Sequence, residues 1–393
     1  MSRPRLVYLV TEDWYFMAHR LPMARAAQRA GYEVHVATRV DRHGRAIEAE
    51  GFALHPIDWK RGSVSPISFL RTGFAVRRLY RSLKPELVHH VALQACCVGA
   101  AAAIGLPMAQ LNAFVGLGFV FTARSLKARL VRLLIGAALP SLFGRKRTTV
   151  LVENPDDRAT LADLGIAPDK IIVIAGSGVD LDHFAPLPEP PAPVTAAFVG
   201  RMVEHKGVRA LVAACKRLAE RGQAVRLLLA GTPDPDNPNS IPAEEIRRWC
   251  EQSTVTWLGH VDDIRTVWRR AHIAVLPSRG GEGIPMSLME AAACGRPLIA
   301  TDVPGCREIA RPGRNGLLVP PDDPQALADA IGRLAADADL RCRLGAAGRR
   351  LIEAEFSSRR IGDDIVVLYD RLIGRSGGPP RSANPGSSVQ RAD

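Results

Sequence analysis

Three segments in the second half of the chain gather charged side chains and glycines at predicted strand ends. The first is Gly200-Arg201-Met202-Val203-Glu204-His205-Lys206-Gly207, directly after a short apolar run at residues 196–199. Its glycines let the backbone turn and approach a ligand closely. Arg201 and Lys206 set two cations where a diphosphate can sit. The Gly-Lys-Ser/Thr order of a P-loop is missing, and so is a dinucleotide fingerprint. A plain turn with two solvated cations would read the same way.

The second segment is Pro277-Ser278-Arg279-Gly280-Gly281-Glu282-Gly283-Ile284-Pro285-Met286-Ser287-Leu288-Met289-Glu290-Ala291. A strand over residues 273–276 ends in a glycine-rich loop. Pro285 suits a first helical position, and Gly295 suits the helix end. The N–H groups around residues 283–286, left free at a helix start and aided by the helix dipole, form an anion site. The spacing from Glu282 to Glu290 turns a helix about 80° beyond two turns, so the two carboxylates need not share a face. Glu282 is expected to stay in the loop and hold hydroxyls. Glu290 is expected just over a turn into the helix, where it can accept hydrogen bonds from a diol. The bland alternative is a carboxylate complementing the dipole and a solvated mid-helix glutamate. Leu288, Ala291 and Ala292 around Glu290 argue against the solvated part. The third segment, Thr301-Asp302-Val303-Pro304-Gly305-Cys306-Arg307-Glu308, is weak alone. Asp234-Pro235-Asp236 has the form of a metal motif, but its Pro- and Asn-rich surroundings read as a turn. No metal and no cofactor are expected.

The elements around these segments alternate strand and helix. In the first half, strands are predicted at residues 5–10, 33–37, 52–57, 87–91, 108–111, 149–152 and 171–174. Helices are predicted at 18–30, 66–83 and 126–142, with an Ala-rich one after residue 91. Five prolines in residues 186–193 make a stiff linker. The alternation then restarts, with strands at 196–199, 225–230, 255–258, 273–276 and 298–300. Repeated β-α-β predicts two parallel sheets covered by helices. The expected division is residues 1–185, a linker at 186–193, and a second domain at 194–358. A last helix at 359–373 is expected to pack back on the first domain, before a disordered tail at 374–393. Ligands bind beyond the carboxyl ends of such strands, so two facing domains would enclose a cleft.

The formal net charge is +12, with a pI of about 9.8. Residues 1–190 carry 24 Lys and Arg against 16 Asp and Glu, and residues 59–152 carry 14 against one. Such a surface attracts phosphate-rich partners. Two segments mix the cations with apolar residues: Lys60, Arg61, Arg71, Arg77, Arg78, Arg81 and Lys84 with Phe69, Phe74 and Tyr80, and Arg124, Lys127, Arg129 and Arg132 with Leu133, Leu134 and Ile135. Amphipathic basic segments of this kind can lie on an anionic membrane; ordinary solvated helix faces are the alternative. The aromatic platforms and modules of nucleic-acid binders are missing, so no nucleic acid is expected. Residues 91–108 are nearly free of polar side chains. Ala and Gly dominate them, however, and favour a buried helix over a membrane span. The apolar run at residues 6–10 is too short for a secretory leader. Seven cysteines without disulfide spacing read as reduced thiols. The expected location is cytoplasmic, at the inner face of the cytoplasmic membrane.

The Glu282-x7-Glu290 spacing, the Ala-Cys-Gly-Arg-Pro run after it and the Gly200–Gly207 loop resemble retaining glycosyltransferases of family 4, with the GT-B architecture of two Rossmann-like domains. The resemblance runs over most of the chain and includes Gly176-Ser177-Gly178-Val179-Asp180 as the hinge. Asn112-Ala113-Phe114-Val115-Gly116-Leu117-Gly118 and residues 301–308 resemble a bacterial branch that adds hexoses, often N-acetylated, to undecaprenyl-diphosphate-linked sugars. The resemblance implies a nucleotide-sugar donor, UDP-linked, and a lipid-linked acceptor. It implies that Gly200, Arg201 and Lys206 bind the donor diphosphate and that Glu290 binds the ribose. Glu282, Gly283, Ile284 and Pro285 would bind the donor sugar, with Arg201, Lys206 and Glu282 central to catalysis. Many relatives carry a Gly-Gly loop after the first strand; here Thr11-Glu12-Asp13-Trp14-Tyr15-Phe16-Met17-Ala18-His19-Arg20 stands in its place. His19 or Arg20 would reach the diphosphate or acceptor, and His89, His90 and Asn112 are candidates for the cleft's acceptor side. A transferase with a soluble acceptor, or a non-catalytic binder of nucleotide sugar or anionic lipid, would use the same residues.

Overall fold

The computed structural model describes residues 3–59, 66–116, 139–223, 225–235, 237–251 and 254–375. The predicted helix at 126–142, the tail beyond Arg375, Leu117, Gly118, Lys60, Arg61 and the second basic segment's cations from Arg124 to Arg132 lie wholly or mostly outside them. Two parallel sheets organise the rest. The first has seven strands: β1 Arg5–Glu12, β2 Glu33–Arg39, β3 Ala53–Pro56, β4 Leu87–Val91, β5 Ala109–Phe114, β6 Thr148–Val152 and β7 Ile171–Val173. Their order is β3-β2-β1-β4-β5-β6-β7. The second has six: β8 Thr195–Val199, β9 Arg226–Ala230, β10 Val255–Gly259, β11 Ile273–Leu276, β12 Leu298–Thr301 and β13 Gly316–Val319, in the order β10-β9-β8-β11-β12-β13. This is the GT-B architecture. Strands such as β4, buried at every residue, carry apolar side chains on both faces because helices cover both.

Each sheet winds outward from its first strand and then returns on the other side. The order therefore reverses between β1 and β4, and again between β8 and β11. A crevice opens beyond the carboxyl ends of each such pair. The loops after β1, β8 and β11 hold the segments singled out above.

Two details depart from the sequence reading. The edge strand β13 was not expected; its four residues are too few to show a period. The helix predicted at 18–30 is two helices, Asp13–His19 and Leu21–Arg29, broken at Arg20. Pro22 explains the break: it lacks an N–H and its ring clashes with the turn before it, whereas a proline is well tolerated in the first turn of a new helix. Arg20, at the break, is buried. The Ala-rich helix Leu93–Ala102 packs on the first sheet, mostly buried. Among the described residues no helix is long and apolar enough to cross a membrane.

The chain passes between the two sheets twice, and the passages are joined. Val179 N–H donates to Phe356 O and Ser358 N–H donates to Val179 O, both at 2.9 Å. The proline-rich segment is pinned to the second core by Leu187 N–H to Cys294 O at 3.1 Å and Arg296 Nη2 to Pro188 O at 2.7 Å. The last helix, Ser358–Ile373, starts at a Ser357 cap and packs on Leu21–Arg29. It adds Ile361, Ile365, Leu368 and Tyr369 to the first core. Each such burial contributes roughly 1.5–3 kcal/mol, which ties the chain's end to its beginning.

Candidate active site

Parallel pairing of β8 with β11, Ala196 beside Ile273 and Ala197 beside Ala274, places the 200–207 and 277–285 loops side by side. Two contacts fix their register. Arg279 N–H donates to His205 O at 2.8 Å. Gly207 has φ +71°, and a Cβ there would lie 1.9 Å from Pro277 O; only glycine permits this approach.

Lys206 and Glu282 meet in this junction. The Lys206 Nζ donates to Glu282 Oε1 at 2.6 Å and to Oε2 at 2.8 Å, and Ser278 Oγ also donates to Oε1. Burial pushes the Glu282 carboxyl up, but the Lys206 charge and the hydrogen bonds from Lys206 and Ser278 more than offset this. The net shift is downward, and Glu282 is an anion at neutral pH. Arg201 stands further out, its Nη1 donating to Asp234 Oδ2 at 2.7 Å. Both cations thus sit at the β8 end, each with a carboxylate partner in the ligand-free protein. Asp234 lies in the expected turn, and Asp236 lies outside the described residues.

Glu290 is in the helix Met286–Ala293. Burial raises its carboxyl to about 7. Among the described residues its side chain has no hydrogen-bond or ion-pair partner. The residue is partly exposed, so a ligand's hydroxyls can reach the carboxyl.

The helix start is less open than expected. The Ile284 N–H is not free: it donates to Glu153 Oε2 of the first domain at 2.9 Å. Glu153 is buried, and its Oε1 accepts from Arg20 Nη2 at 3.2 Å. Arg20 also donates to Ser177 Oγ, in the passage between the two sheets, at 2.9 Å. His19 packs on Tyr15 with ring centroids 4.3 Å apart and the planes tilted by 36°. Burial pulls its imidazole down to about 3, helped by the charges of Arg20, Lys206 and Arg201. His19 is therefore neutral at neutral pH.

Residues 5–142 match the family Glycosyl transferase 4-like, and residues 193–337 match Glycosyl transferases group 1. The chain belongs to these glycosyltransferases. Campylobacter jejuni serotype O:2 has a relative, N,N'-diacetylbacillosaminyl-diphospho-undecaprenol alpha-1,3-N-acetylgalactosaminyltransferase. It is 26% identical over 90% of this chain and 95% of its own length. Two solved structures share the fold. Sucrose-phosphate synthase from Thermosynechococcus elongatus superposes with a TM-score of 0.79 at 24% identity, over 95% of this chain and all of that one. HepE from Anabaena, in complex with UDP and glucose, gives 0.74 at 16% identity, over 94% and 100%.

The glycosyltransferase brings Gly200, Arg201, Lys206, Glu282, Gly283, Ile284, Pro285 and Glu290 to the ends of two neighbouring strands, with His19 and Arg20 opposite. It does not bring His89, His90 or Asn112 to the cleft surface, and this corrects the expectation. All three are fully buried. His89 Nδ1 lies 2.6 Å from the Tyr369 hydroxyl, which lies 2.7 Å from the Tyr8 hydroxyl. His90 bridges the Tyr80 hydroxyl at 3.0 Å and Asn112 Oδ1 at 2.7 Å. They are polar joints of the core. Glu153, Asp234 and Ser278 were missed; each gains its meaning from a partner far away in sequence or around a turn.

Proposed function

We propose that this glycosyltransferase moves a hexose or N-acetylhexosamine from a nucleotide diphosphate sugar, UDP-linked, to a lipid-diphosphate-linked sugar, retaining anomeric configuration, in the assembly of a cell-surface polysaccharide or glycan. The observation that carries it is the pairing of β8 and β11, which sets the loop of Arg201 and Lys206 beside the loop of Glu282 and the helix of Glu290. In this reading residues 194–358 hold the donor and residues 1–185 hold the acceptor. The Campylobacter relative, whose printed substrate is diphospho-undecaprenol-linked, supports the acceptor class, and the UDP complex of HepE supports the base.

Transfer breaks the bond from the anomeric carbon to a phosphate oxygen, and negative charge grows on the leaving diphosphate. Lys206 and Arg201 stabilise that charge without reorganising water. Glu282 fixes Lys206 and accepts from hydroxyls of the sugar, and Glu290 accepts from the ribose diol. With retention, the leaving phosphate oxygen can take the acceptor proton, so no separate base is required. His19, neutral, is placed to hydrogen-bond an acceptor hydroxyl.

A membrane face fits the helix Pro66–Leu83. Ile67, Leu70 and Phe74 are 78%, 62% and 71% exposed, one helical stripe that continues into exposed Arg78 and Arg81. Tyr80 and Arg77 do not belong to it: Tyr80 is buried, and Arg77 Nη1 binds Ala102 O and Ile104 O at 2.7 Å. The chain then works at the inner face of the cytoplasmic membrane. The test is incubation of a nucleotide-sugar panel with sugar-diphosphate-polyprenol, read by mass. One added hexose or N-acetylhexosamine, with α product from α donor, is expected. Transfer only to a water-soluble acceptor, or none from any donor, would refute the reading.

A further inference from the structure

Glu153 follows β6 and belongs to the first domain, yet its carboxylate binds the second domain's glycine-rich loop. It accepts the Ile284 N–H at 2.9 Å through Oε2 and Arg20 Nη2 at 3.2 Å through Oε1. The fit depends on the neighbouring glycine: a Cβ on Gly283 would lie 2.1 Å from Oε2. The Ile284 N–H also belongs to the helix-start anion site that the family resemblance gives to the donor. One N–H cannot serve two anions well, and a carboxylate and a phosphate packed at the same spot repel.

We infer that Glu153 is a resident anion in the donor site, and that the outer phosphate of a nucleotide sugar displaces it and takes over both its partners, Ile284 N–H and Arg20. The inference rests on the donor reading above. The exchange is like for like: a guanidinium matches a phosphate as well as it matches a carboxylate. It also explains why a buried arginine can stand in an empty cleft. Until the donor arrives, Glu153 supplies the charge that Arg20 needs, and Ser177 Oγ and His19 O take Nη1 at 2.9 and 3.2 Å. After displacement Arg20 becomes a third cation on the diphosphate, contributed by the acceptor-side domain. Donor binding thereby reaches the hinge through Ser177.

The competition has a sign that a merely structural role would not give. Full-length wild type, E153Q and E153A are titrated calorimetrically with UDP-, GDP- and dTDP-hexoses and with the monophosphate of whichever base binds. E153A is expected to bind the nucleotide sugar about tenfold more tightly. E153Q should tighten less, because its amide oxygen still accepts the Ile284 N–H. The monophosphate, which lacks the outer phosphate, should bind all three proteins alike. R20K should weaken the nucleotide sugar and leave the monophosphate unchanged. Nucleotide-sugar binding that is unchanged or weaker in E153Q overturns the inference while leaving the donor reading intact, and E153Q decides the matter alone if E153A does not fold. A wild type that binds no nucleotide sugar overturns both.

Discussion

Lys206 Nζ lies 2.6 Å and 2.8 Å from the two carboxylate oxygens of Glu282, although 76 residues separate them in the chain. Both are largely buried. The pair has two jobs that can be separated. As a cation beside a leaving diphosphate, Lys206 should be worth on the order of 10²–10³ in turnover, and K206M should lose that much. As the partner of a buried carboxylate it also holds the fold. Removing it should cost about 3–5 kcal/mol.

The pH dependence distinguishes those jobs. In the wild type the Glu282 carboxyl is held below its ordinary value. Its contribution is present above the unfolded value near 4.5 and is lost as pH falls through the folded one. In K206M the charge and hydrogen bonds that oppose burial most are gone and only the Ser278 hydrogen bond still helps to hold the anion, so the carboxyl should rise, and the stability loss should grow with rising pH and shrink near pH 4.5. Thermal melts of both proteins across that range check the sign.

Glu290 should behave in the opposite way. Its carboxyl is raised from 4.5 to about 7 by burial. The ligand-free protein therefore gains stability from it below pH 4.5 and loses that gain as pH rises through 7. The loss is roughly 1–3 kcal/mol. E290Q should remove this slope and melt higher than wild type at pH 8. It should also bind nucleotide more weakly there, having lost a charged acceptor for the ribose. A wild-type melt that is flat between pH 5 and 8 would contradict the assignment.

The buried joint of Tyr8, Tyr369 and His89 predicts a stability effect without a catalytic one. Y369F leaves His89 Nδ1 without its partner at 2.6 Å and should cost about 1–3 kcal/mol. kcat and KM of the folded fraction should stay at wild-type values. A large fall in kcat with an unchanged melting temperature would return His89 to the acceptor side of the cleft.

What the sequence made legible follows the range of each interaction. Strand and helix alternation is local, and it gave twelve of the strands near their observed ends. The chemistry of the 200–207 and 277–291 segments was also local, since strand ends, glycines and charges lie within a few residues. Contacts between distant segments left no such mark. Nothing near Glu153 points to Ile284, 131 residues on, and nothing near His89 points to Tyr369, 280 residues on. Asp234 was read as a turn residue. The turn is there, but its carboxylate is aimed at Arg201 by a strand order that only the folded sheet defines. Arg20 carried one local clue, Pro22, whose missing N–H and ring clash one turn back foretell the helix break.

A crystal of the protein soaked with the donor it turns over would show whether the mouth of the second sheet holds the nucleotide sugar. The diphosphate should lie within hydrogen-bond distance of Lys206 and Arg201, with Arg201 drawn from Asp234 and the ribose on Glu290. Nucleotide density elsewhere, with Lys206, Arg201 and Glu290 untouched, would contradict it.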